Sequence, residues 1–289
     1  MQKKIMLPLT LLLLMTLVLA GCGSQQKTVS SIKVGILADN IIWQQIKDAS
    51  SDNSLKITYL TYATNDELNQ ALAAKEIDVA GSQTISAFDN SKQKLKLDSL
   101  VSIGSLYWAP LGLYSSKYKQ LTDLHNGDTI ALPADPAELG RALVLLNEAK
   151  VITLNANFNG KGDLNKIVKN PMKLKFHLLT TADEVRLDDY EAVALTNEAA
   201  RKQKLTINDK ALTIEVVVPK AYVTILATRT DNQTDQVVRD FLKLSQSKQV
   251  ITAVTKQAEN GEQIVKMPLE SLDGYETSYT EKVSQKSGM

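Results

Sequence analysis

The chain has 289 residues and a formal charge of +1, with 33 basic and 32 acidic residues interspersed along it. That balance gives no electrostatic basis for a nucleic-acid partner, and two histidines with one cysteine leave little material for a metal centre or a disulfide framework. A 44% apolar content over this length is enough for two lobes of ordinary domain size.

The chain opens with Lys3 and Lys4, then an almost uninterrupted apolar run from Ile5 to Ala20 that ends in Leu19-Ala20-Gly21-Cys22. This is the plan of a secretory signal peptide, too short to cross a bilayer as a helix of about 20 residues and weakened by Pro8. Small residues before a cysteine resemble a bacterial lipobox, so residues 1–21 are expected to be removed and the Cys22 thiol to carry diacylglycerol and palmitate-type acyl chains. At about 0.8 kcal/mol per buried methylene, several chains on one residue make a durable anchor in the lipid bilayer. Residues 22–31 are small and polar, as a tether should be, and place the rest of the protein on the extracytoplasmic face of the cell membrane.

The first folded element is the β-branched run Ile32–Leu37, followed by a helix with Ile42, Trp43 and Ile46 near one face. Leu55–Tyr62 reads as a second strand. Thr64 and Glu67 are spaced as a capping box ahead of a helix with Leu68, Ala71 and Leu72 on one stripe, and Ile77–Ala80 is a third strand. This alternation indicates a parallel sheet with crossover helices. Leu100–Tyr114 reads as nearly continuous strand. Thr129–Pro133 is a strand leading into a helix opened by Asp135-Pro136, with an acidic N-cap and proline in the first turn. Leu174–Leu179, Ala192–Leu195 and Tyr222–Ala227 supply further strands, and an amphipathic helix spans about 234–244. The expected architecture is α/β and bilobal: residues 32–110 in lobe 1, 111–197 in lobe 2, 198–257 returning to lobe 1 with C-terminal helices, and 258–289 as a polar, loosely packed tail.

No catalytic or metal-binding set is visible. His125 lies in a turn and His177 in a strand, neither spaced to another ligand, and there is no nucleophile elbow, phosphate loop or dinucleotide fingerprint. The chain is therefore read as neither an enzyme nor a cofactor protein. Arg141 stands out because it lies early on a helix after the strand Thr129–Pro133, where open α/β sheets bind ligands. A guanidinium there can hold a carboxylate through two parallel hydrogen bonds.

The segments Pro110–Lys119, Gly127–Pro136 and Gly140-Arg141-Ala142-Leu143 closely resemble the NlpA/MetQ lipoproteins, the substrate-binding lipoproteins of methionine ABC importers. Asn69–Leu72, Lys169-Asn170-Pro171 and Leu187-Asp188-Asp189 fall in matching order, so the likeness runs over residues 32 to about 255. The resemblance implies a type II periplasmic-binding-protein fold, an amino-acid-type ligand, and an ABC permease and ATPase as partners. It places Arg141, Gln83, Thr84, Asn65, Thr196, Asn197, Glu198 and Thr224 at ligand-binding positions, and Tyr62 and Tyr107, like Trp43 and Trp108, are candidates for an apolar wall.

Several of these positions depart from the family. Gln83-Thr84 stands for a Gln-His pair, Asn65 and Ala87 for aromatic residues, Thr196-Asn197-Glu198 for Asn-Gly-Asn, and Thr224 and Glu138 for asparagines. Threonine cannot reproduce the paired donor and acceptor of an amide, and each buried group left unpaired costs about 1–3 kcal/mol. The expected function is a solute-binding lipoprotein for methionine or a related small carboxylate. The alternative is a surface lipoprotein that kept the fold, lost transport and serves in interaction or adhesion.

Overall fold

The computed structural model describes residues 29–180, 185–216, 220–258 and 261–272; Cys22 and its apolar leader lie outside the described residues. In chain order the regular elements are β1 (Ser30–Ile36), α1 (Ile41–Ser51), β2 (Leu55–Thr61), α2 (Asn65–Ala73), β3 (Val79–Thr84), α3 (Ile85–Leu95), β4 (Leu100–Trp108) and β5 (Gly112–Tyr114). Next come β6 (Thr129–Pro133), α4 (Pro136–Glu148), β7 (Thr153–Leu154), β8 (Ile167–Lys169), β9 (Lys175–Leu179), β10 (Ala192–Leu195), α5 (Asn197–Lys202), α6 (Ile207–Lys210) and β11 (Ala211–Ile214). The chain closes with β12 (Thr224–Arg229), α7 (Gln236–Ser245), α8 (Lys248–Gln257) and β13 (Gln263–Ile264).

These strands form two mixed sheets. The first has the order β13-β4-β12-β3-β1-β2 and the second β11-β5-β10-β6-β9. β1, β2 and β3 pair in parallel, as their intervening helices require, and so do β6, β9 and β10. Helices α1, α7 and α8 cover one face of the first sheet around Trp43, Ile46, Phe241 and Val250, and α2 and α3 cover the other around Leu68, Leu72 and Phe88. The second sheet buries Leu139, Leu143 and Leu146 of α4 on one face and Ala199 and Ala200 of α5 on the other. Among the described residues, no helix is long and apolar enough to cross a membrane.

Three expectations shift. The run Leu100–Tyr114 breaks at Ala109–Leu111, where Pro110 brings no N–H to a ladder and the backbone passes from the first sheet to the second. The return crossing falls after Glu215 rather than at 197/198, because β11 pairs antiparallel with β5 of the second sheet. Residues 261–272 do not form a loose tail: β13 pairs with β4, Ser105 Oγ donates to the carbonyl of Val265 and accepts from the Met267 N–H, and Leu272 is fully buried. At the start of α2, Thr64 Oγ1 accepts from the Glu67 N–H at 3.1 Å, and Glu67 returns a bond to the N–H of Ala63 rather than Thr64.

Candidate functional site

The carboxyl ends of the parallel strands in both sheets open onto one cleft of about 830 Å³. This placement follows from the strand–helix alternation, which delivers the first turns of α2, α3 and α4 to the same space. Each of these helices is capped by a cleft-lining side chain: Thr64 for α2, Thr84 for α3 and Asp135 for α4. Asp135 accepts from the N–H groups of Ala137 and Glu138 at 2.9 and 3.1 Å.

Of the residues singled out from sequence, Asn65, Gln83, Thr84, Tyr107, Arg141, Thr196, Asn197, Glu198 and Thr224 all line this cleft. Tyr62 does not. Its ring turns to the side of the first sheet covered by α2, packing beside Leu68 and Ile77 against Gly35. Trp43 is fully buried beneath the cleft; its indole N–H donates to Ser82 Oγ at 2.9 Å, and its ring meets Tyr59 and Tyr107 edge-on. Trp108 is buried and is not part of the lining either.

On the first wall, Gln83 is tied to Asn69 by a reciprocal amide pair at 3.0 and 2.9 Å, both side chains buried. Tyr107 receives a bond from Asn40 at 3.4 Å, and burial, with the negative charge of Glu198 second, pushes its phenol up to about 12. Thr84 and Thr196 spend an oxygen lone pair on the N–H groups of Ala87 and Ala199 while capping their helices, but each keeps its hydroxyl proton to donate.

Arg141 is placed differently from the expectation. Its Nε and Nη2 donate to the two carboxylate oxygens of Glu215 at 2.8 and 2.6 Å, with the pair only 5% and 3% exposed. Nη2 also donates to the Ala109 carbonyl at 2.6 Å, and the guanidinium lies 5.0 Å from the ring centre of Tyr222. The edge expected to grip a ligand carboxylate is therefore occupied by the protein's own carboxylate. Burial works against the Arg141 charge, but Glu215 beside it holds the guanidinium protonated more firmly than usual. Glu215 also accepts from the Leu111 N–H at 2.9 Å, and its own N–H donates to the Leu111 carbonyl at 3.0 Å. The pair thus ties α4 to both sides of the Ala109–Leu111 crossover.

One turn before Arg141, Glu138 also lines the cleft. Burial lifts its carboxyl from 4.5 to about 7 against the pull of Arg141, with Asp135, Glu215 and Glu198 adding to the rise. The segment carrying Lys161 at the cleft mouth is fixed on α4: the Gly162 N–H donates to the Pro136 carbonyl at 2.7 Å, and a Cβ on Gly140 would stand 1.9 Å from the Gly160 carbonyl oxygen. His125 and His177 lie away from the cleft, against Tyr118 and Tyr190. Among the described residues, no group of three or more metal-ligating side chains gathers. Sequence reading missed Glu215 and Tyr222 and treated Glu138 only as a departure. For Glu138, the sequence signal was its position three residues before Arg141 on the same helix.

Two α/β sheets, joined by crossovers and sharing a polar cleft at the carboxyl ends of their strands, define a bilobal binding protein of the periplasmic-binding-protein type. The family model for the NlpA lipoprotein matches residues 32–267, and the chain belongs to that family. It is 32% identical over 254 residues to the D-methionine-binding lipoprotein MetQ of Yersinia pestis, covering 85% of this chain and 92% of that one. It is 29% identical over 252 residues to the Bacillus subtilis lipoprotein YhcJ, covering 86% and 90%. A nutrient-binding protein from Burkholderia cenocepacia, solved bound to methionine, superposes with a TM-score of 0.74 at 29% identity over 81% of this chain and 99% of that one.

Proposed function

We propose that this chain is the solute-binding component of an ABC importer, anchored to the membrane through acylated Cys22, and that it presents a small amino-acid-type ligand to a permease driven by a cytoplasmic ATPase. The observation that carries this reading is the cleft itself, with groups from both sheets converging on it and room for an amino acid or a dipeptide. Arg141 Nη1 is the part of the guanidinium not engaged by Glu215 or Ala109, and with the first turns of α2, α3 and α4 it offers N–H groups to a ligand carboxylate. Glu138 and Glu198 suit the amino group. Ligand contacts from both sheets would favour closure of one unit on the other.

Methionine is the ligand named for several relatives, and it is the first compound to test here. Hydroxyls at Thr84, Thr196 and Thr224 and a carboxylate at Glu138 give this cleft a different donor and acceptor pattern from the amides expected of the family. No observation on the described surface favours the adhesion alternative. Calorimetric titration of the full chain in detergent micelles with amino acids and dipeptides tests the proposal. Saturable one-site binding, lost in Asn65→Trp, which fills the cleft, is the expected result. Absence of binding across the panel would overturn it.

A further inference from the structure

The polar groups of the cleft are unevenly spent. Arg141, the side chain best suited to a carboxylate, gives Nε and Nη2 to Glu215 and Nη2 again to the Ala109 carbonyl. A ligand carboxylate arriving there meets a charge already matched by a buried partner, with Nη1 left to give. What the walls still require is donors. Glu138 Oε2 on the second wall and Asn65 Oδ1 on the first are buried oxygens of cleft-lining residues, and neither has a hydrogen-bond partner. Buried oxygens in that condition are uncommon, and leaving one unpaired costs more than an ordinary hydrogen bond returns.

The two oxygens stand at opposed helix starts. Asn65 is the first residue of α2, and Glu138 lies in the first turn of α4. Lys94 links their surroundings, since it bonds Asp66, the neighbour of Asn65, and also feels the charge of Asp135 at the cap of α4. Candidate ligand groups differ in what they bring to such a place. A carboxylate brings no donor and a hydroxyl brings one. An ammonium brings three N–H donors, no lone pair and the charge opposite to that of ionised Glu138. One ammonium can therefore serve both walls.

We infer that the ligand is recognised first through a primary amino group, held between Glu138 and Asn65, and that its carboxylate is the lesser contact. The inference rests on the solute-binding reading above and names the recognised group and the residues that select it. It asks for no net charge on the ligand, because an ordinary zwitterionic amino acid carries the group required. Glu138 and Asn65 come from opposite walls, so the contact that selects the ligand also favours closure.

The test titrates the full chain in detergent micelles with D- and L-methionine, serine, glutamine, lysine and alanylalanine, at about pH 8, where Glu138 is ionised. Each compound that binds is then compared with its 2-hydroxy analogue, which exchanges the ammonium for a hydroxyl of similar size, and with its decarboxylated form. The hydroxy analogue is expected to bind about 10-fold or more weakly than its parent compound, and the decarboxylated form to lose less. Glu138→Gln and Asn65→Leu, which remove the charge or the acceptor with little change of volume, each narrow the gap between parent compound and hydroxy analogue. A cooperative thermal transition shows that each variant folds, and the comparison on the parent chain decides even where one does not. A hydroxy analogue that binds as well as its parent compound, a decarboxylated form that loses as much, or a gap that survives both substitutions would overturn the inference and leave the solute-binding reading intact. No binding by any of these compounds would overturn both.

Discussion

On the first wall of the cleft three buried polar pairs are neutral and close on themselves, Gln83 with Asn69, Tyr107 with Asn40, and Trp43 with Ser82, while Asn65 Oδ1 has no donor. On the second wall they are ionic, with Arg141 and Glu215 locked together and Glu138 left without a donor at Oε2. Neutral pairs fix a shape without choosing a charge. An ion pair that compensates itself leaves the neighbouring Glu138 to answer burial by holding its proton up to about 7. The same cleft thus joins a neutral, mutually bonded wall to an ionic one.

The largest way to break this division is to remove one member of the ionic pair. Glu215→Ala leaves Arg141 buried without its counter-ion and should lower stability by about 3–5 kcal/mol in denaturant unfolding. The double variant Arg141→Met/Glu215→Leu should lose much less, since it removes both charges together. If the single and double variants lose the same amount, packing rather than charge holds this position.

The neutral wall should respond more mildly. Asn69→Ala strands one side of the buried Gln83 amide and should cost about 1–3 kcal/mol, with the same loss at low and at neutral pH. Glu138→Gln should behave in the opposite manner and depend on pH. The folded-state pKa of Glu138 lies above its ordinary 4.5, so its favourable contribution to folding is complete below that value and is lost as pH rises through about 7. The glutamine variant should therefore unfold at a higher temperature than the parent above pH 7, by a few degrees, and show no gain under acid conditions. A gain that is equal at both ends of the range would assign the effect to packing. The smallest effect belongs to the rim, where Lys94 is 70% exposed; Lys94→Ala should leave both the melting temperature and ligand affinity unchanged within error.

Local chemistry made much of this arrangement legible in the amino-acid order. Asp135-Pro136 marks the start of α4 because an acidic N-cap and a proline in the first turn serve that end of a helix, and the apolar spacing of Leu68, Ala71 and Leu72 marks the buried stripe of α2. The positions matched to the family line one cleft, whereas of the four aromatic wall candidates only Tyr107 does; Tyr62 sits on the α2 side of the first sheet. Glu215 could not be read in this way. It lies 74 residues from Arg141 in a stretch of alternating residues that looks like a solvated strand end, and only the pairing of β11 with β5 brings it to the guanidinium. The segment after Gly261 hid for a related reason: β13 is two residues long, and its order comes from Ser105 and the edge of β4 rather than from any periodicity of its own.

The Arg141–Glu215 pair also has a mechanical side. Arg141 holds the carbonyl of Ala109, and Glu215 holds the N–H of Leu111, so the two residues grip the crossover on either side of Pro110. Glu215 is itself the residue after which the chain leaves the second sheet. A swing of one half of the molecule against the other at this first crossover would bend the chain beside these two side chains. A ligand group held at Arg141 would therefore bear on the crossover directly, through the Ala109 carbonyl and Glu215.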